Sequence, residues 1–225
     1  RFISQFSNER AQSDLMNKVQ YTMPWMAQGW LQASHSILAY AAIGAYQSGV
    51  TDILTYTIGD NGLLTYCAFN NSASSSSYKS VFDTSGSMLD VCYSDDTAKA
   101  WVKAGLKYAM DNYPEMEYFM LGQADKRTNC SCTDCWYARL KGANKSWLIA
   151  NFVKEMATYT NSLGYTDKKI IMFAYQDTEV APTAGRNSAL TDMPSNVYVQ
   201  WAPVDSDRYF ALDTTNIEAW KTALG

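Results

Sequence analysis

Cysteines are the residues of this sequence whose type and spacing most clearly indicate chemistry. Cys130, Cys132 and Cys135 form a C-x-C-x-x-C pattern in the run that begins at Asn129. A tetrahedral zinc ion takes four donors, and thiolates are among its preferred ligands. Cys92 would supply the fourth thiolate if its strand lies beside the strand that leads into this loop. The pattern therefore predicts a structural zinc site, with no cofactor required for catalysis.

The same four cysteines allow two other interpretations. One disulfide within the loop and another to Cys92 would be expected in a secreted protein, because oxidising compartments favour disulfides. Free thiols are the third interpretation, and the sequence leaves all three open.

A second group of polar residues follows two predicted strands. Gln123 and Asp125 follow one of these strands, and Gln176 and Asp177 follow another. A carboxyl group beside aromatic residues suits a general acid or a charge-stabilising group, although a loop Asp that binds backbone amides is the structural alternative. His35 is the single histidine. Neither a histidine metal site nor a Ser-His-Asp triad is therefore expected.

The elements that must position these residues alternate along the chain. Short apolar runs are separated by segments of helical periodicity, which is typical of a parallel sheet covered by helices. The predicted strands are Phe2–Phe6, Met88–Tyr93, Met116–Leu121, Ile170–Tyr175 and Val197–Trp201, and the predicted helices are Ser13–Gln20, Asp95–Tyr113, Lys145–Leu163 and one that begins near Thr215. Ligands of such sheets bind at the carboxyl ends of the strands.

The sequence favours a (β/α)8 TIM-barrel-like α/β fold over a doubly wound nucleotide-binding sheet. No glycine-rich phosphate loop follows any predicted strand, so nucleotide binding has no support. Residues 51–87 are predicted as an insert that contains a hairpin and a serine-rich loop, because the Gly59–Gly62 turn separates two short strands.

Composition limits the partners of the chain. Its 225 residues carry 18 Lys and Arg against 22 Asp and Glu, and the net charge of −4 makes nucleic acid an unexpected partner. The longest apolar stretch, Ile37–Ala45, is far shorter than the about 20 residues that span a bilayer.

Both ends of the sequence look cut, so we expect one domain over residues 1–225 within a longer polypeptide that carries other domains.

The order of these segments resembles one family. Gly122-Gln123-Ala124-Asp125 followed by the cysteine loop is similar to the signature of the hexosaminidase-like barrels of the domain-of-unknown-function 4838 group, some of which are classed as glycoside hydrolase family 163. Ala124 stands where the family usually has Asn. The segments Gly29–His35, Leu89–Cys92, Phe173–Gln176 and Val197–Trp201 also fit. The family barrel continues with further strands, which implies a barrel that is incomplete at the C-terminal side of this chain.

The resemblance implies a secreted or cell-surface bacterial domain that hydrolyses glycans containing N-acetylglucosamine. Such an enzyme can be endo-acting and can use the substrate's own acetamide as nucleophile, with Asp125 as the catalytic carboxyl group. Asp177 and Glu179 are further candidate carboxylates. The residues expected to contact the glycan are His35, Gln123, Tyr175, Gln176, Asp177 and Trp201, although packing in the core is the plain alternative for Trp201.

Two other functions remain open at this point. A carbohydrate-binding barrel without catalysis would have an incomplete set of acidic groups, and the Ala124 difference favours it. A zinc-organised interaction module would lose its fold on chelation without any dependence on sugar.

Overall fold

The computed structural model describes residues 2–4, 36–86, 88–114, 116–126, 128–202 and 215–224. His35 and the predicted helix Ser13–Gln20 lie outside the described residues. The described strands are β1 (Phe2–Ser4), β2 (Leu54–Ile58), β3 (Leu64–Phe69), β4 (Phe82–Asp83), β5 (Asp90–Val91), β6 (Tyr118–Leu121), β7 (Lys169–Tyr175) and β8 (Val197–Ala202). The described helices are α1 (Ser36–Gln47), α2 (Asp96–Asn112), α3 (Thr133–Leu140), α4 (Lys145–Ser162) and α5 (Thr215–Leu224).

Four of these strands form a parallel sheet in the order β1-β8-β7-β6. The register places Met120 beside Ile171, which in turn lies beside Tyr198. The central strand β7 is buried over five consecutive residues, as expected for a strand covered on both faces. Because β6 and β7 are neighbours and parallel, the loops that follow them leave the sheet at the same edge.

The hairpin and one predicted strand lie outside this sheet. β2 and β3 pair antiparallel, within the segment predicted as an insert. The strand predicted over Met88–Tyr93 is shorter than expected. It is strand only at Asp90–Val91 and pairs antiparallel with Phe82–Asp83. The chain turns immediately afterwards, where the backbone N–H of Asp95 donates to the carbonyl of Cys92.

Helices α2 and α4 follow the predicted periodicity. Asp95 accepts the backbone N–H of Ala98 at the start of α2, and Asn144 accepts that of Trp147 at the start of α4. The apolar residues at helical spacing are buried in both helices, and they comprise Ala98, Trp101, Val102, Leu106, Ala109 and Tyr113 in and directly after α2, and Leu148, Ile149, Phe152, Val153 and Met156 in α4. Gly164 follows α4 with a φ of 95°.

Helix α1 packs closely against α2. A Cβ atom built at Gly44 would lie 1.8 Å from the carbonyl oxygen of Trp101, and one built at Gly105 would lie 1.9 Å from that of Tyr40. Glycine is therefore required on both helices for their backbones to meet. α1 is apolar on nearly all sides and has 12 residues. Among the described residues, no helix has the length and hydropathy needed to cross a membrane.

Candidate metal centre

The four predicted cysteines come together at the side of the molecule where β5 and β6 end. Cys92 directly follows β5, and its backbone N–H donates to the carbonyl of Val81. Cys130 and Cys132 lie in the loop between β6 and α3, and Cys135 lies in the first turn of α3. Residues about 40 positions apart in the sequence thus meet in one cluster.

The sulfur atoms have the spacing of a tetrahedral metal site. The Sγ atom of Cys92 lies 3.4 Å from that of Cys132, 3.6 Å from that of Cys130 and 3.8 Å from that of Cys135. All four ligand atoms lie within 4.8 Å of one another. Zinc–sulfur bonds of about 2.3 Å at tetrahedral angles place sulfur atoms about 3.8 Å apart. The cluster can therefore hold a metal ion.

No disulfide bond joins the cysteines in this structure, and all five lie among the described residues. The Sγ atoms of Cys92 and Cys132 are 3.4 Å apart, well beyond the about 2.05 Å of a disulfide bond. Cys67 belongs to β3 and packs in the apolar core, where burial raises its pKa to about 12. The fifth cysteine thus has a packing role, separate from the cluster.

The thiols of the cluster alter one another's ionisation. Hydrogen bonds with Cys130 and Cys92 lower the pKa of Cys135 to about 4. The hydrogen bonds with Cys130 and Cys135 raise the pKa of Cys92, and the hydrogen bond with Cys135 raises that of Cys130. The first thiolate to form thus suppresses the ionisation of its neighbours. A divalent cation would remove that repulsion, because metal-bound thiols are deprotonated.

Other groups fix the loop around the sulfurs. The backbone N–H of Cys135 donates to the Sγ atom of Cys132, which caps α3. The guanidinium of Arg139 reaches back across one turn of α3 and donates to the carbonyls of Cys130 and Cys135. The hydroxyl of Ser94 lies 3.1 Å from the Sγ atom of Cys135. Hydrogen bonds to ligand sulfurs and to the ligand loop are typical of outer shells that orient metal ligands.

A cleft of about 400 Å³ lies beside the cluster. Its lining includes Lys79, Asp83, Asp95, Cys130, Cys132 and Asp134. Cys130 and Cys132 are partly exposed, whereas Cys92 and Cys135 are buried. One side of the centre therefore faces solvent.

The predicted polar residues lie where parallel strands end. Asp125 follows β6 and is exposed, whereas Gln123 in the same loop is buried. Tyr175 ends β7, and Gln176 and Asp177 begin the 3-10 helix Gln176–Thr178 that follows it. The Nε2 atom of Gln123 donates to the Thr178 hydroxyl over 2.8 Å. The structure therefore joins the loop after β6 to the turn after β7.

Three further residues predicted for the site, Trp201, Glu179 and Gln176, each have a different environment. Trp201 in β8 is 1% exposed, and its indole N–H has no hydrogen-bond partner among the described residues. This burial favours the packing role that the sequence left open for Trp201. Glu179 is buried, and its carbonyl accepts the indole N–H of Trp220. Gln176 has a φ of 54° and its side chain donates to the hydroxyl of Tyr175.

Two buried lysines near these strand ends were not foreseen from the sequence. Lys126 forms an ion pair of 3.0 Å with Asp83, and both side chains are almost fully buried. Lys145 forms an ion pair of 3.0 Å with Asp177. The partners are 43 and 32 residues apart. No local spacing pattern could have signalled either pair.

Asp90 forms a third buried contact of this region. Its carboxylate accepts the hydroxyl of Tyr93 over 2.6 Å and the backbone N–H of Ala124 over 3.1 Å. Burial raises the pKa of Asp90, although these hydrogen bonds oppose the rise. Burial, followed by the charge of Asp90, raises the pKa of Tyr93 well above its usual value. Asp90 thus binds the loop that carries Asp125 from the side of β5.

Comparison with known proteins places the chain in a family. No curated protein and no solved structure is significantly similar to it. Residues 49–224 match the family described as Domain of unknown function (DUF4838), and the match includes every described candidate residue named above. The chain therefore belongs to the DUF4838 family.

Proposed function

We propose that this domain is a glycoside hydrolase that acts on glycans containing N-acetylglucosamine. One observation carries the proposal: Asp125 and Asp177 follow neighbouring parallel strands, so both carboxylates lie at the edge of the sheet where α/β enzymes bind ligands. The family resemblance supplies the substrate class, since its hexosaminidase-like members, including those of glycoside hydrolase family 163, act on such glycans.

The chemistry assigned to this edge needs one acidic group and a means of stabilising the anomeric centre. Asp125 is exposed on a loop whose neighbouring residues are buried, so substrate can reach it while its backbone is held. We assign Asp125 as the acid. The substrate acetamide would act as nucleophile, and Asp177, which is bound to Lys145, would help to orient it.

We further propose that the strands belong to a (β/α)8 barrel in a secreted or cell-surface protein. The pairing of β1 with β8 supports this fold, because a barrel closes by joining an early strand to a late one. The location follows from the resemblance alone.

Zinc is the metal that we propose for the cysteine cluster. Four thiolates with tetrahedral spacing are the donor set of closed, structural zinc sites. When bound, the ion would neutralise the thiolates and tie them together. Cys92 would then hold the loop from Cys130 to Cys135 against the end of β5. This loop follows Asp125, so the centre would restrict the downstream end of the proposed catalytic loop.

A carbohydrate-binding domain without catalysis is the second candidate. The observation that favours it is Ala124, which stands beside Asp125 where the family usually has Asn and is 3% exposed. A methyl group there offers no hydrogen bond to substrate.

The test is the release of glycans from an N-glycosylated protein, detected by mass spectrometry. We expect release by the wild-type chain and its loss in Asp125→Asn. Asp52→Asn, which changes an exposed carboxylate at the start of the hairpin, should release glycan like the wild type. Glycan binding without release by the folded wild type would favour the non-catalytic candidate. Equal release by wild type and Asp125→Asn would refute the role of Asp125.

A further inference from the structure

The ammonium group of Lys145 contacts both segments that carry the candidate carboxylates. It donates to the backbone carbonyl of Lys126, directly after Asp125. It also lies 3.0 Å and 3.3 Å from the two carboxylate oxygens of Asp177. Lys145 is the first residue of α4, and its side chain is 8% exposed. One buried cation thus joins the loop after β6 to the turn after β7.

The two segments have other fixed contacts around this cation. Gln123 donates to the Thr178 hydroxyl, and that hydroxyl donates to the carbonyl of Tyr175. On the opposite side of the loop, Lys126 donates to the backbone carbonyl of Asp83 over 2.8 Å and pairs with its carboxylate. The loop is therefore held on two sides by buried polar groups.

The turn after β7 adopts a backbone conformation that needs such support. Gln176 has a φ of 54°, a region that residues other than glycine rarely occupy because it is sterically strained. Such strain persists where surrounding contacts determine the conformation. Asp177 is the next residue, and Lys145 holds its carboxylate. The position of Asp177 thus depends on the strained turn and on the lysine together.

We propose that Lys145 is a positioning residue that sets the mutual placement of Asp125 and Asp177. The catalytic consequence of this inference rests on the proposed function. The connection that Lys145 makes between the loop after β6 and the turn after β7 can be tested without any activity. A buried ammonium that lost either partner would be left incompletely paired, which is costly in a desolvated position. The contacts of the loop and the turn are therefore coupled through one side chain.

Hydrogen–deuterium exchange of the Lys145→Met variant tests this link. We expect exchange to become about tenfold faster in residues 122–126 and 176–179, because the Asp177 carboxylate and the Lys126 carbonyl lose the ammonium group that both contact. Lys154→Met is the matched control on α4, because Lys154 donates only to the carbonyl of Thr191 among the described residues. It should leave both segments unchanged.

Three results would count against the proposal. Unchanged exchange in either segment of Lys145→Met would show that the lysine does not join them. A uniform rise over the whole chain would show a contribution to global stability instead. Lys145→Arg should restore protection in part, because its guanidinium can pair with Asp177. A Lys145→Arg variant as unprotected as Lys145→Met would refute the role of the charge.

Activity provides a separate measurement. If the wild type releases glycan, Lys145→Met should lower kcat by at least about tenfold with little change in KM, because it misplaces carboxylates rather than removing them. An unchanged kcat would refute the catalytic consequence. If the wild type releases no glycan, the proposed function fails, and the exchange result still decides whether Lys145 links the two segments.

Discussion

The Sγ atom of Cys92 lies 3.4 Å from the Sγ atom of Cys132, although 40 residues separate them in the sequence. This contact joins the end of β5 to the loop that follows β6. Helix α2 and strand β6 lie between the two cysteines along the chain. A metal ion at this point would therefore cross-link two distant parts of the fold.

Removal of the metal should destabilise the domain. A ligand present at a hundredfold its Kd stabilises the folded state by about 2.7 kcal/mol. For a chain of this size, that loss corresponds to a fall in Tm of about 5–11 °C. The measurement is thermal unfolding of the wild type with and without a zinc chelator, followed by addition of zinc to restore the Tm.

The Cys135→Ser variant is the control for this experiment. It lacks one ligand and should unfold at a lower Tm that the chelator does not change further. A wild-type Tm that is insensitive to the chelator, in protein shown to have lost its metal, would contradict a structural role for the metal.

Replacement of Gly105 by alanine should destabilise the packing of α1 against α2. Helix propensity alone favours alanine over glycine by about 1 kcal/mol. The added Cβ atom would lie 1.9 Å from the carbonyl oxygen of Tyr40, so the helices must move apart. We expect the free energy of unfolding to fall by about 1–3 kcal/mol, as in overpacked cores.

The matched control is Ala100→Gly, at an exposed position of α2. It should cost only the propensity difference of about 1 kcal/mol. Denaturant unfolding measures both variants. A Gly105→Ala variant that is more stable than the wild type would refute the close approach of the two helices.

The stability contributed by Glu155 should disappear in acid. Glu155 lies 3.3 Å from Lys99 and 2.6 Å from Lys103, which join α4 to α2. Burial raises the pKa of Glu155, but these two lysines lower it overall. A carboxylate with a lowered pKa stabilises the fold above its unfolded pKa of about 4.3, and this contribution is lost as the pH falls through the folded pKa.

Glu155→Gln should therefore lower the free energy of unfolding by about 0.2–1 kcal/mol near neutral pH, because the pair is partly exposed. The difference from the wild type should shrink as the pH falls below the unfolded pKa of about 4.3 and disappear below the lowered pKa of the folded state. Glu117→Gln is the control, since Glu117 is 61% exposed and lies 3.8 Å from Lys169. A Glu155→Gln effect that is equal near neutral pH and in acid would contradict the ionic origin of the contribution.

The elements with local signals were predicted well from the sequence. The helices predicted over Asp95–Tyr113 and Lys145–Leu163 match α2 and α4 to within one residue at each end, and their helical periodicity agrees with their buried faces. Helix α1 had no such signal, because it is buried on nearly all sides and shows no amphipathic period. β5 was predicted too long, since its apolar run continues into a turn at Cys92.

The candidate site likewise contains contacts that the sequence predicted and contacts that it did not. Cys92 was added to the C-x-C-x-x-C loop on the condition that its strand lies beside the strand leading into that loop. The structure pairs β5 with β4 instead, yet it places the sulfur of Cys92 among the other three. The ion pairs of Lys126 and Lys145 depend on contacts between distant segments, which single-sequence periodicity does not encode. Trp201 ends the predicted strand Val197–Trp201, but only the structure shows that its side chain is buried.

Native mass spectrometry of the purified chain is the most direct test of the metal centre. We expect one bound zinc ion in the wild type and in Cys67→Ala, because Cys67 packs in the core away from the cluster. Cys135→Ser should lose the ion. A wild-type chain that carries disulfides among Cys92, Cys130, Cys132 and Cys135, or a Cys135→Ser variant that retains zinc as well as the wild type, would contradict a four-cysteine zinc centre.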